Sequence, residues 1–228
     1  YFEIAEINPK DPKWEDRDRI VLSKSHACEA MYAVLGEKGF FPKEKFKEFL
    51  HFNSMLQGHA EICTPGVEYS GGSLGQGISF ACGLAYSARL KKKKHKVFCI
   101  LGDGECHEGE VWEAAMFASH YKLDNLYAIV DYNHYCTLGD VDEIMNLKPL
   151  DDKWRSFGWE TIYEKDGNNI TKLISDFNEL EKISGKPKCI IANTVKNNGV
   201  PIWEKEHIHH VSGKKLFDGL EEGRKLLK

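Results

Sequence analysis

The sequence predicts an α/β fold, a parallel sheet with helices on both faces. Three observations carry this. The segments Val97–Leu101, Leu126–Asp131 and Lys188–Asn193 are short, nearly continuous apolar runs, the pattern of strands buried on both faces. The segments between them place apolar residues at helical spacing. Alternation of strand and helix with right-handed crossovers then makes the strands parallel.

The elements follow in order. Residues 26–38 (HACEAMYAVLGEK) have helical periodicity and end at Gly36 and Gly39, where glycine suits a helix terminus. Pro42 opens a short charged helix over 43–51. The glycine-rich stretch 70–77 (SGGSLGQG) leads into a helix of small residues, 76–90, suited to close packing. The first strand, 97–101, is ended by Gly102-Asp103-Gly104. A helix over 108–121, the strand 126–131 ending at Asn133, and an amphipathic helix over 170–183 come next. Pro187 precedes the third strand, and 212–227 reads as a last helix. There is no repeat and no low-complexity linker, and residues 1–228 are expected to form a single domain, although the length would also allow two small ones. The chain starts at Tyr1, in what reads as the tail of a helix, so a further segment is expected upstream.

Composition narrows the function. The chain has 228 residues, 42% hydrophobic and 29% charged, enough for one core. A net charge of −4 gives no general attraction to nucleic acid or anionic membrane. The basic run Lys91–Lys96 reads as a solvated helix end or loop. Seven cysteines are scattered without a Cys-x-x-Cys pair, which points to reduced thiols in a cytosolic protein rather than disulfides or a zinc site. No apolar stretch of 18 residues and no signal peptide occur, so no membrane span is expected.

Chemistry begins at Gly102-Asp103-Gly104. A carboxylate directly after a buried strand lies at the carboxyl edge of the sheet, where open α/β sheets bind ligands. The flanking glycines allow close approach of a phosphate, and the next helix points its N-terminus there, which favours anions. Asn133 ends the next strand. Asp103 and Asn133 together offer two hard oxygens, which with a diphosphate and water would complete a Mg²⁺ site, or one for Ca²⁺. A turn aspartate and a turn asparagine would look the same.

The wider sequence separates these readings. Gly102-Asp103-Gly104-Glu105 through to Asn133 resembles the thiamine-diphosphate motif, and the text between resembles the transketolase version. Residues 18–27 (DRIVLSKSHA), Gly58-His59, Pro65-Gly66-Val67-Glu68, Ser73–Gly77 and 191–196 (IANTVK) resemble transketolase segments in order and spacing. The chain thus resembles the N-terminal half of transketolase, especially the separate N-terminal subunit of split enzymes.

The resemblance implies a Rossmann-like thiamine-diphosphate-binding fold and two-carbon ketol transfer from a ketose, commonly a sugar phosphate, to an aldose. It implies metal binding by Asp103, Asn133 and the main-chain carbonyl of Tyr135. Gly102, Gly104 and Glu105 lie in the diphosphate turn, and Gly72 and Leu74 line the cofactor rings. His26 and His210 match histidines near the diphosphate and donor, and His59 one that contacts the donor sugar; His207 or His209 could stand in for His210. Glu108 and Glu113 match glutamates at a subunit interface. The implied partner is a C-terminal transketolase subunit carrying the pyrimidine-binding domain and the catalytic glutamate, in an α₂β₂ assembly.

Four departures stand out. A histidine-bearing segment of the family is absent before Tyr1. Ser25 replaces a glycine beside His26. Cys136 and Leu138 stand where the family has Gln and Asp, and Asn197-Asn198 replace Gly-Lys. The last changes cluster near the donor, so a ketose other than the common pentose phosphates is expected. Deoxyxylulose-phosphate synthase, dihydroxyacetone synthase and dehydrogenase E1 halves are alternatives, against which residues 18–27 and Trp112–Ala115 favour transketolase. A nicotinamide-binding domain would need its glycine motif directly after a strand, and 72–77 follows none. A non-catalytic protein of this fold would not need Asp103, Asn133, His26 and His59.

Overall fold

The structure, a computed structural model, describes residues 1–204 and 213–226. Five strands form one parallel sheet: β1 (Arg19–Leu22), β2 (Val97–Gly102), β3 (Leu126–Tyr132), β6 (Glu160–Glu164) and β7 (Lys188–Asn193), in the order β1-β2-β3-β7-β6. A hairpin of β4 (Tyr135–Cys136) and β5 (Gly139–Asp140) follows β3. The helices are α1 (Cys28–Lys38), α2 (Gln76–Leu90), α3 (Gly109–His120), α4 (Val141–Met145), α5 (Leu150–Ser156), α6 (Ile170–Glu181), α7 (Pro201–Glu204) and α8 (Gly213–Leu226).

Alternation along β2 explains the two covered faces. Val97, Cys99 and Leu101 pack with Ile78, Ala81 and Ala85 of α2, Ala114 and Ala115 of α3, and Trp154 of α5. Phe98 points the other way, against Ile20, Tyr127, Ile190 and, on α6, Leu180 and Phe177. Helix α1 buries Met31, Tyr32 and Leu35 in a third cluster that reaches the sheet through Leu22 and Ile100. Side chains alternate across a strand, so every residue of a doubly covered strand must be apolar.

Small residues let α2 sit close to the sheet. A Cβ on Gly77 would lie 2.6 Å from Ser23 Cα, inside any allowed contact. The N-terminal segment is held by Asp18, which is buried and accepts hydrogen bonds from the main-chain N–H of Glu6 (2.8 Å) and of Lys96 (2.7 Å). One carboxylate thereby fixes the entry to both β1 and β2.

Several sequence expectations change. Residues 1–18 contain no helix, so the start is not the tail of one. The helix expected at 43–51 is a 3₁₀ segment, Lys43–Glu48. Strands β1 and β6 were not expected. The first is four residues directly after the charged stretch 15–18. The second, Glu-Thr-Ile-Tyr-Glu, is an edge strand paired only with β7, so it lacks a continuous apolar run. The lysine run is a solvent-exposed turn after α2, as expected. The cysteines among the described residues are all free, and no helix among those residues is long and apolar enough to cross a membrane.

The packing predicts opposite outcomes for two glycines of α2. Gly77→Ala should destabilise the protein by about 1–3 kcal/mol through overpacking. Gly83→Ala, with open space at its Cβ, should stabilise it by about 0.5–1 kcal/mol through helix propensity. Urea unfolding of the two variants measures both.

Candidate functional site

A cleft of about 540 Å³ opens at the carboxyl edge of the sheet. Its floor comes from residues at or just past the ends of β1, β2, β3 and β7: Lys24, Gly102 to Glu105, Asp131 and Asn133, and Thr194 to Lys196. Each strand delivers one polar group to the same edge because the strands are parallel and in register.

Asp103 lies at the centre, 1% exposed. Its Oδ1 accepts from Gly104 N–H (2.7 Å) and its Oδ2 from His134 N–H (2.6 Å). The second bond is possible because His134 adopts a left-handed conformation, φ 69°, which turns its N–H back toward β2. Burial pushes the Asp103 carboxyl up to about 6, against the pull of these hydrogen bonds; the Asp131 charge adds to the rise. Asp131 contrasts with it. Burial would raise this carboxyl too, but the Lys24 ammonium and hydrogen bonds from Lys24, Thr194 and Asn133 outweigh it and hold it below the usual range. Of two neighbouring carboxylates, one is neutralised within the fold, and the other has two N–H donors and no salt bridge among the described residues.

Asn133 donates from Nδ2 to Asp131 (3.1 Å) and accepts at Oδ1 from Tyr135 N–H (3.0 Å), so its oxygen faces the hairpin turn beside Asp103. Lys196 lines the cleft with no salt bridge among the described residues, and burial, then the Lys24 charge, pushes its pKa down. Two ammonium groups and glycine backbone in one cleft suit a compact anion. At Gly104 a Cβ would lie 2.7 Å from Cys136 Cβ, so only glycine fits under the hairpin.

Glu105 is 2% exposed and binds protein, not solvent. One oxygen accepts from the Ser23 hydroxyl and from Gly75 N–H (2.8 Å), the other from Gly102 N–H (3.0 Å). Burial raises its pKa against these bonds. Its side chain ties together the ends of β1 and β2 and the start of α2, so it shapes the cleft wall rather than reaching into the cavity.

The cleft gathers His26, Leu74, Gly102, Asp103, Gly104, Glu105, Asn133 and Tyr135 of the residues singled out by sequence. His59 and Gly72 are exposed on neighbouring loops and do not line it. His210, with His207 and His209, lies outside the described residues. The loop of His59 is nevertheless tied to that of His26. The buried Ser25 hydroxyl accepts from Ala60 N–H (3.0 Å), and the Tyr32 hydroxyl bonds the carbonyls of Gln57 and His59 (both 3.0 Å). The serine that replaces a glycine is therefore a loop anchor. Lys24, Asp131, Thr194 and Lys196 were not singled out from sequence. All four lie within or beside the family motifs, and their position at or just past the end of a buried strand was the available signal.

Among the described residues no three His, Cys, Asp or Glu side chains converge as a metal site. A cation beside Asp103 would need oxygens from an amide, the main chain and a bound anion. The donors present fit a hard divalent cation held jointly with a diphosphate.

Fold and cleft together define an α/β domain whose polar cleft, at the carboxyl edge of its sheet, has the chemistry to take an anion. The transketolase, thiamine diphosphate binding domain family matches residues 1–224. The chain is 41% identical over 211 residues to a 6-deoxy-6-sulfo-D-fructose transketolase subunit of Clostridium sp. (strain MSTE9), covering 92% of this chain and 76% of that one. It is 40% identical over 204 residues to an apulose-4-phosphate transketolase subunit of Phocaeicola vulgatus, covering 90% and 72%. The solved transketolase of Campylobacter jejuni superposes with a TM-score of 0.90 at 33% identity, over 97% of this chain and 36% of that one. This chain belongs to the transketolase family, as its thiamine diphosphate binding domain. It spans about a third of the solved transketolases it matches.

If Ser25 anchors the loop of His59, Ser25→Gly should speed hydrogen exchange of the Ala60 amide about fivefold to tenfold, the loss of roughly one hydrogen bond. Exchange at Val21, in the sheet core, should stay unchanged.

Proposed function

We propose that this chain is the N-terminal, cofactor-binding subunit of a split transketolase-type enzyme that moves a two-carbon ketol unit from a ketose to an aldose. The observation that carries this reading is the convergence of Lys24, Asp103, Asn133 and Lys196 on one cleft in a member of the family. Thiamine diphosphate, when bound, supplies the stabilised carbanion that amino-acid side chains cannot.

The chain's own residues have four tasks. Asp103, Asn133 and the Tyr135 carbonyl hold Mg²⁺ or Ca²⁺. Lys196 offsets part of the diphosphate charge while Lys24 stays paired with Asp131 beside it, and the backbone at Gly102 and Gly104 lets the diphosphate approach. Leu74, in the cleft, and Gly72, on the exposed loop beside it, flank the cofactor rings. His26, His59 and His210 hydrogen-bond donor hydroxyls and hold or release a proton there.

A partner subunit is supported by the names of relatives, several of which are themselves subunits. We place it against α3, where Glu108, just before the cleft end of the helix, and Glu113, Met116 and Phe117 further along it are exposed. The assembly is a pair of such heterodimers. The donor is a ketose other than the common pentose phosphates, because the departures Cys136, Asn197 and Asn198 line the cleft itself.

The decisive experiment measures ketol transfer by this chain with and without a C-terminal transketolase subunit. Turnover only in the mixture supports the reading, and robust turnover by the chain alone refutes it. If xylulose 5-phosphate proved the best donor, the donor assignment would fail. Lys196→Gln should weaken thiamine diphosphate binding about tenfold or more, the cost of one charge-assisted contact, read by calorimetry of the assembled enzyme.

The pH dependence has a definite sign. The Asp103 carboxyl titrates at about 6 in the metal-free fold, above its ordinary 3.8. Its stabilising contribution is therefore complete below the ordinary value and is lost as pH rises through 6. A cation needs the ionised form, so its affinity should fall about tenfold per pH unit below 6 and level off above. Mg²⁺ titrations in the presence of thiamine diphosphate between pH 5 and 8 check this.

A further inference from the structure

A second concave site lies at the opposite, amino edge of the sheet. It is a groove of about 670 Å³ beside the starts of β2, β3 and β7 and the C-terminal ends of α2 and α3. Seven lysine or arginine side chains line it against two carboxylates, an excess of five positive charges in a chain whose net charge is −4. With the end of α6, which also borders the groove, the three helix C-termini contribute about one and a half negative charges, too little to neutralise the excess.

The lysine run alone would be an ordinary solvated turn. The fold makes it one wall of a groove, with Arg89, Lys122 and Lys188 coming from other elements. Lys96 is paired with Glu181, and Lys93 with Glu15 and Asp16. Arg89 is spent on the carbonyls of Tyr121 and Lys122 at the end of α3, so it meets the helix-end charge but no carboxylate. Lys92, Lys94 and Lys122 have no carboxylate partner among the described residues. Lys188 is mostly buried, over the Tyr127 ring and on the Asp124 carbonyl, and burial pushes its pKa down.

Two of the unpaired lysines occupy unusual backbone. Helices α2 and α3 both end in the same hydrogen-bonded turn: Lys92 N–H to the Arg89 carbonyl (3.0 Å) with Lys93 N–H to Ala88 (2.8 Å), and Lys122 N–H to Ser119 (3.0 Å) with Leu123 N–H to Ala118 (2.9 Å). The residue in the left-handed position of such a turn is usually glycine. Here it is lysine both times, φ 55° and 51°, and both line the same groove. Helix-end charge favours a cation anywhere in the last turn; it does not account for a lysine at the strained position.

We propose that this groove is a binding site for a small polyphosphate anion, separate from the cofactor cleft and held mainly by Lys92, Lys94 and Lys122. The volume suits a phosphate chain with or without a nucleoside, and several separate ammonium groups suit several phosphates better than one.

The test titrates the full chain with sodium tripolyphosphate, ATP or inorganic phosphate by calorimetry, at 0.15 M ionic strength and without Mg²⁺. Tripolyphosphate should bind more tightly than phosphate, with 1:1 stoichiometry in the groove. ATP matching tripolyphosphate assigns recognition to the phosphate chain, and tighter ATP binding assigns the nucleoside a share; both support the site. The triple variant K92Q/K94Q/K122Q should raise the dissociation constant at least tenfold at an unchanged unfolding temperature. Amide shifts at Lys92, Lys122 and Gly185 locate the site even if that variant folds poorly. Lys196→Gln in the cofactor cleft should leave this binding intact. No tripolyphosphate binding, loss of it in Lys196→Gln, or binding of heparin or RNA without tripolyphosphate binding would overturn the proposal. None of these outcomes bears on ketol transfer, so the two readings stand or fall separately.

Discussion

The carboxylate of Glu105 is the knot of the cleft at the carboxyl edge of the sheet. It is buried, and burial raises its pKa, yet it gathers the Ser23 hydroxyl and the N–H groups of Gly75 and Gly102, which pull the other way. Those donors belong to the end of β1, the start of α2 and the end of β2. Fixing them fixes Lys24, Leu74 and Asp103, which follow or flank them and line the cavity. A buried carboxylate stripped of its donors costs several kcal/mol, so the three elements cannot drift apart without exposing that cost.

Around this knot the protein distributes charge unevenly. Asp131 has Lys24, Thr194 and Asn133. Asp103, at the end of the adjacent strand, has only main-chain donors and a carboxyl raised to about 6. The fold thus keeps one carboxylate satisfied as scaffold and leaves the other electrostatically incomplete, which is the condition for binding a cation. Lys196, which makes no salt bridge among the described residues and lines the same cleft, is the complementary case for an anion. At the far edge of the sheet the imbalance runs the other way, with lysines outnumbering carboxylates in the second groove.

Much of this was legible from residues alone. The apolar runs of β2, β3 and β7 and the bounds of α2 were readable because double burial forces apolar side chains at every position. Gly102-Asp103-Gly104 and Asn133 were readable because they follow such runs. Strands β1 and β6 were not. Arg19–Leu22 is short and follows a charged stretch, and Glu160–Glu164 is an edge strand with polar ends, so neither carries a pattern that outweighs its flanks. Lys24 and Lys196 sit inside motifs whose signal comes from other residues. Asp131 was missed because a residue inside a strand run reads as structural.

By itself the sequence determined the α/β class, the family and the two residues that offer hard oxygens, since these depend on local periodicity and on residue types at fixed spacing. Tertiary structure decided the division of labour. It made Glu105 a brace, set Asp131 with Lys24, turned Ser25 into an anchor for the loop of His59, and folded an ordinary lysine run into a groove wall. The reason is physical: whether a carboxylate or an ammonium group is satisfied or unpaired depends on partners up to 107 residues away in the chain, and no local pattern records them.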